Sequence, residues 1–247
     1  MRRLILVLLL MPLLLGQAYN VPFNPPAAGG GSESYTDDFS TDPLASRWAE
    51  MSGSTFTYNS GPETLSASSA NGDNAWYTSE MGTTDHCVCA DILEAGAAGH
   101  GNGVVLRHPG VVGSVGTPAY YFRADLHNSN YFWIYEVVDN GTDSTATNTT
   151  YYVSVGTQSD GVRICAYVYG TGATTYFKMW LYDTPSGQVC SGTCDYGWQG
   201  EGCTANFTKA NAVSSTWYDN TDTQKYAGVG DRTNYAFSWD NWAAEDQ

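Results

Sequence analysis

Aromatic side chains with polar handles recur in the most regular order this sequence offers. In 161–169, Val162, Ile164, Ala166 and Val168 alternate with Arg163, Cys165, Tyr167 and Tyr169; in 174–183, Phe177, Met179 and Leu181 alternate with Tyr176, Lys178, Trp180 and Tyr182. Successive strand residues point to opposite faces, so the apolar rows are expected in a core and the other rows outside it. Sugar recognition lays aromatic rings on apolar pyranose faces, with amides, carboxylates or arginine nearby for the hydroxyls. Trp180, Tyr176 and Tyr167 are therefore the candidate glycan contacts, and Arg123 and Trp133 extend the platform if their strands join the same sheet. In 130–138, Trp133 and Tyr135 oppose Phe132 and Ile134, and either row fits a core. The same aromatics also suit a seam between subunits, so a structural component of an extracellular assembly is the competing reading.

Catalysis has less to draw on. Glycoside cleavage needs two carboxyls about 5 Å apart for retention, or farther apart for inversion. Glu136 and Asp139 are not at same-face spacing, and Asp125 or Asp91 would need cross-strand partners. His100, His108 and His127 stand at strand ends or loops without a triad, and Ser159-Asp160-Gly161 reads as a turn. A glycan-cleaving enzyme stays open, with the residues weighing toward a binding protein. Cys87 and Cys89 share a strand face, which favours separate partners over a mutual bond, and Cys165 is a mid-strand candidate. Zinc at His86, Cys87 and Cys89 is disfavoured because His86 points the opposite way.

The elements that must position these residues are strands. The 247 residues are 42% hydrophobic and 14% charged, and 10 Lys and Arg against 25 Asp and Glu give a net charge of -15. That balance argues against a nucleic-acid binder, which needs basic patches. Residues 1–18 read as a signal peptide: Arg2 and Arg3, an apolar run to Leu15, then Gly16 and Ala18. No other stretch is long enough to span a membrane. Six cysteines and sequons at Asn140, Asn148 and Asn206 agree with an extracellular or cell-surface address, or a periplasmic one in a Gram-negative host. The Pro/Gly-rich 19–36 is expected to be a flexible leader, and 37–247 a single β-sandwich. Expected strands are 54–58, 63–68, 83–92, 103–108, 119–126, 130–138, 150–156, 161–169, 174–183, 206–210, 213–218, 225–229 and 233–238.

Two resemblances add to this. Asp37-Asp38-Phe39-Ser40 with Leu44 to Trp48, the Gly103 to Arg107 strand, the 161–183 hairpin and the closing Tyr235 to Trp242 resemble the concanavalin A-like jelly roll of legume lectins, laminin G-like domains and secreted glucanases. The resemblance implies an all-β jelly-roll sandwich of two antiparallel sheets, paired terminal strands and a glycan-binding concave face, with polysaccharide or glycoprotein glycans as partners. Self-association is a further partner class, with the leader as an exchanged arm. The Glu-x-Asp-x-x-Glu strand of the glucanase branch is absent. Paired termini would also gather Asp37, Asp38 and Asp240, an oxygen-rich set that makes calcium the candidate cofactor. Residues 194–203 resemble the closing loop of an EGF-like module, which favours a Cys194–Cys203 staple within 190–203 and leaves Cys190 for the group of Cys87, Cys89 and Cys165. Six cysteines allow fifteen pairings, and these stay open.

Overall fold

The computed structural model describes residues 33–51, 54–67, 73–93, 101–127, 131–141, 144–154, 161–172, 175–182, 204–208, 223–231 and 237–246, with the backbone alone for 144–154, 180–182 and 204–208. The expected signal peptide, the leader up to residue 32, the strand at 213–218 and the 190–203 loop lie outside the described residues. In chain order the strands are β1 (Ser34–Asp37), β2 (Trp48–Glu50), β3 (Phe56–Asn59), β4 (Thr64–Ala67), β5 (Asn74–Tyr77), β6 (His86–Ile92), β7 (Gly101–His108) and β8 (Ala119–His127). Then come β9 (Tyr131–Asp139), β10 (Ser144–Ser154), β11 (Val162–Tyr169), β12 (Tyr176–Tyr182), β13 (Thr204–Thr208), β14 (Tyr226–Asp231) and β15 (Phe237–Asp246).

Two antiparallel sheets result. One has eight strands in the order β13-β12-β11-β6-β15-β4-β3, with β1 also on β15; the other has seven, β10-β9-β8-β7-β14-β5-β2. The alternation that the sequence displays decides which side of each sheet is covered. Val162, Ile164, Ala166, Val168, Phe177 and Met179 of the first sheet meet Val104, Leu106, Phe122, Ala124, Phe132 and Ile134 of the second in one continuous core. Phe122 and Phe177 meet edge-on across the gap, 4.8 Å between ring centres. Burying each such large apolar side chain is worth roughly 1.5–3 kcal/mol. In β9 the inward row is Phe132 and Ile134, so Trp133 and Tyr135 face outward.

The terminal strands pair as expected, with Asp37 opposite Trp242. β1 begins at Ser34, inside the stretch expected to be leader, because Ser34 to Thr36 find partners at Ala243 to Glu245. Two irregularities re-aim side chains. Arg107 adopts φ 48, and the β14–β7 register shifts beside it between Tyr226 and Gly228. Leu106 therefore faces the core, while His108 turns outward to stack on Trp76 at 4.3 Å. In β15, Asn241 has φ 46 where the pairing with β6 slips between Asp240 and Ala243.

Candidate binding face

The outer face of the eight-stranded sheet carries an aromatic ladder. Tyr167 and Tyr169 are two apart on β11 and so share a face, and the β11–β12 register puts Tyr176 directly opposite Tyr169. Tyr167 stacks on Tyr169 at 4.8 Å and 14°, and Tyr169 on Tyr176 at 5.1 Å and 18°. Burial falls along the ladder, from Tyr167 at 1% exposed to Tyr176 at 37%. Lys178 lies opposite Tyr167, and Trp180 opposite Cys165 in the same register; the Trp180 side chain lies outside the described residues. The ladder stands beside a Cys89–Cys165 disulfide joining positions that face each other across β6 and β11. Cys87 is disulfide-bonded as well, whereas Cys190, Cys194 and Cys203 lie outside the described residues.

Farther along β11 the same face turns polar. Arg163 lies opposite Asp91, and Asp91 lies opposite Asp240. Arg163 Nη1 donates to Asp91 Oδ1 at 2.8 Å and to the Asn241 carbonyl at 2.7 Å; Asn241 Nδ2 donates to Asp91 Oδ2 at 2.9 Å. The left-handed turn at Asn241 makes this reach, so the β15 bulge is what clamps Asp91. Burial pushes the Asp240 carboxyl up, and the neighbouring Asp91 charge adds to the rise. Beside this cluster an open cleft of about 460 Å³ is lined by Thr36, Asp38, Arg47, Arg163 and Asn241, among others. Hydrogen bonding to the Ser40 amide holds Asp38 below the usual carboxylate range. Glu245, opposite Cys87, is pushed up to about 7, chiefly by burial and then by the Asp246 charge. The face thus combines an exposed ring, a half-buried lysine and a hydrogen-bonding cleft.

No protein-family model and no curated protein matches the chain. Among solved structures, a Bacillus subtilis protein of unknown function with a galectin-like fold superposes with a TM-score of 0.52 at 8% identity, over 86% of this chain and 94% of that one. The fold is a concanavalin A-like jelly roll. Weaker superpositions relate it to the CBM2 module of the evolved Dit of Lactobacillus casei BL23 phage J-1 (TM-score 0.46, 9% identity, 87% and 96% covered) and to peanut lectin (0.42, 9%, 87% and 97%).

On this jelly roll Arg123 and Trp133 belong to the other sheet, and they cannot extend the tyrosine platform. Arg123 is 1% exposed: its Nε and Nη2 donate to both oxygens of Asp125, at 2.8 and 3.0 Å, and its Nη1 to Asn74 Oδ1 and the Asp231 carbonyl. Trp133 is half-buried, stacked on Tyr135 at 5.5 Å and beside His127 at 4.6 Å. The three aspartates considered for calcium do come to one side of the sandwich, but Asp37 is already engaged. It accepts from Arg47 Nε and Nη2, Trp48 Nε1 and the Phe39 amide, all at 2.8–3.1 Å. Among the described residues, no group of three or more His, Cys, Asp or Glu is placed to hold a metal ion. The sequons fall at the β9–β10 turn (Asn140) and on the edge strands β10 (Asn148) and β13 (Asn206). Sequence reasoning missed Arg163, Asn241, Arg47 and Tyr169 as site residues. Alternation already put Arg163 and Tyr169 on the outward row, whereas Arg47 and Asn241 reach the cleft only through the β1–β15 pairing.

Proposed function

We propose that this chain is a secreted carbohydrate-recognition module that holds an oligosaccharide on the outer face of its eight-stranded sheet. The observation that carries this reading is Tyr176, the exposed end of a ladder of near-parallel rings whose far member, Tyr167, is buried. A rigid ring presents apolar area to a sugar face at little entropic cost. The nearby cleft supplies donors and acceptors, and Lys178 borders the ladder. Binding is favoured over cleavage because Asp91, which faces Asp240 across the strands, has both oxygens engaged by Arg163 and Asn241. In a glycan array with the wild-type chain and Tyr176→Ala, the wild type gives a reproducible set of responding glycans. The variant loses roughly tenfold or more in affinity for them, the scale of one stacking contact. No response from the wild type at millimolar ligand overturns the reading.

A second reading, self-association, is favoured by Val111, Val112 and Val115, which are exposed by 58%, 48% and 81% in the turn between β7 and β8. Sedimentation velocity over a hundredfold concentration range tests it, and a constant monomer mass counts against it.

A further inference from the structure

The two arginines of the cleft are used differently. Arg47 has every guanidinium nitrogen engaged within the protein: Nε and Nη2 on Asp37, Nη1 and again Nη2 on Thr41. Arg163 uses Nη1 alone, on Asp91 and the Asn241 carbonyl, and its Nε and Nη2 have no acceptor among the described residues. Its side chain is 20% exposed and lines the cleft. The unused nitrogens form one edge of the planar group, two N–H donors in parallel, the arrangement that matches the two oxygens of a carboxylate. That edge is held in place from behind, since Asp91 is itself fixed through both oxygens, by Arg163 and Asn241.

We propose that the cleft is a carboxylate subsite, in which Arg163 takes the acid group of a uronic acid residue within a bound oligosaccharide. This rests on the glycan reading above and names the sugar class it selects. The cleft's own carboxylates do not compete for Arg163: Asp37 is held by Arg47 and Trp48, and Asp38 caps the Ser40 amide. Arg163 and Tyr169 are on one face of one strand, about 20 Å apart along it. A sugar chain must be longer than this span to meet both, since Cys165 and Tyr167 between them are buried and offer no contact of their own. Net charge sharpens the point. At -15 the protein has no general attraction for a polyanion, so retention by one requires a local contact of this kind.

The test is affinity electrophoresis of the full chain in gels containing polygalacturonate or alginate, each run beside its carboxyl-reduced, neutral counterpart. The wild type is retarded roughly tenfold more strongly by at least one uronan than by its reduced form, the worth of a charge-assisted hydrogen-bonded pair. Arg163→Gln abolishes the difference between the two polymers, whereas Tyr176→Ala weakens the retardation by both. Arg163→Lys, which retains a charge for Asp91 but not the two-donor edge, keeps only a minor part of the preference. Equal retardation by both polymers overturns the carboxylate subsite and leaves the glycan reading standing. So does an undiminished preference in Arg163→Gln. No retardation of the wild type by any of the polymers overturns the carboxylate subsite; if the array is also silent, the glycan reading falls with it.

Discussion

Asp37 shows how a residue can have the right type for one role and be committed to another. Its spacing to Asp38 and its pairing with the end of the chain suit a cation site, yet four donors already surround it. Beyond the Phe39 amide, those donors are not visible from the run Asp37-Asp38-Phe39, because Arg47 and Trp48 return to it after a turn through Pro43. The arginine is part-exposed and the aspartate is not, so the cost of removing the charge falls mainly on the buried partner. Asp37→Asn leaves one acceptor oxygen for four donors and turns an amide toward a guanidinium. We expect a loss of about 2–4 kcal/mol, read as a lower urea midpoint at unchanged slope. A shift below about 0.5 kcal/mol means that Arg47 simply swings to solvent. Tyr167 carries a related lesson. Alternation placed it on the outer face correctly, but outward is not exposed, since a disulfide and a neighbouring ring cover it. Among the described side chains of the row, Tyr176 is the exposed one.

At the scale of elements, β11 and β12 were legible because each is a regular alternating run buried on one face. β9 was legible as a strand but not in orientation, since both of its rows are apolar. What local pattern does not carry is sheet membership. β8 joins β7 and β9, whereas β11 joins β6 and β12, and these partnerships are settled by long-range packing of the two sheets. That is why Arg123 and Trp133 left the platform. The short β2 and β5 escaped notice for a similar reason: their partners, more than their composition, make them strands. Glycine placement gives this level its prediction. On the outer face of the seven-stranded sheet, a Cβ at Gly103 would lie 1.8 Å from the Ala124 carbonyl oxygen, and one at Gly228 would lie 1.9 Å from that of Ala75. Those atoms belong to neighbouring strands and cannot retreat without breaking the ladder. Gly103→Ala and Gly228→Ala should each lower the melting temperature steeply or prevent soluble expression. Gly61→Ala, with nothing within 4 Å and no left-handed φ, should leave it within a degree or so. Three indistinguishable melting curves would falsify the close interlock of β7, β8, β14 and β5.

For the whole molecule, the buried titratable groups on the two sheets set opposing limits on stability. His86 and His108 are fully buried. His86 is brought down to about 4 by burial, with the Arg107 charge adding to the fall, and His108 to about 3 by burial. Both lie below the ordinary imidazole value near 6.5, so the native state binds fewer protons than the unfolded chain, and the stability they contribute is lost as pH falls below about 6.5. Asp231 works in the opposite sense. Burial drives it up to about 8; Arg123 opposes the rise, and Asp73 and Asp125 reinforce it. Its native form binds a proton that the unfolded chain has released, so its contribution is complete below the ordinary carboxylate range and disappears as pH rises through about 8. Glu245, raised to about 7, adds a smaller decline in the same direction because it is partly exposed. With two histidines pulling one way and two carboxyls the other, the melting temperature should be flat or rising up to about pH 6.5 and fall from there to about pH 8. Asp231→Asn should remove most of that alkaline decline while leaving the acid limb in place, since the amide keeps the oxygen that accepts from the Asp73 amide without acquiring a charge. Calorimetry of both proteins from about pH 4 to about pH 9 decides the matter: parallel curves for wild type and variant above pH 6.5 would mean that Asp231 is ionised in the native protein, held by Arg123 as part of the ion-pair network.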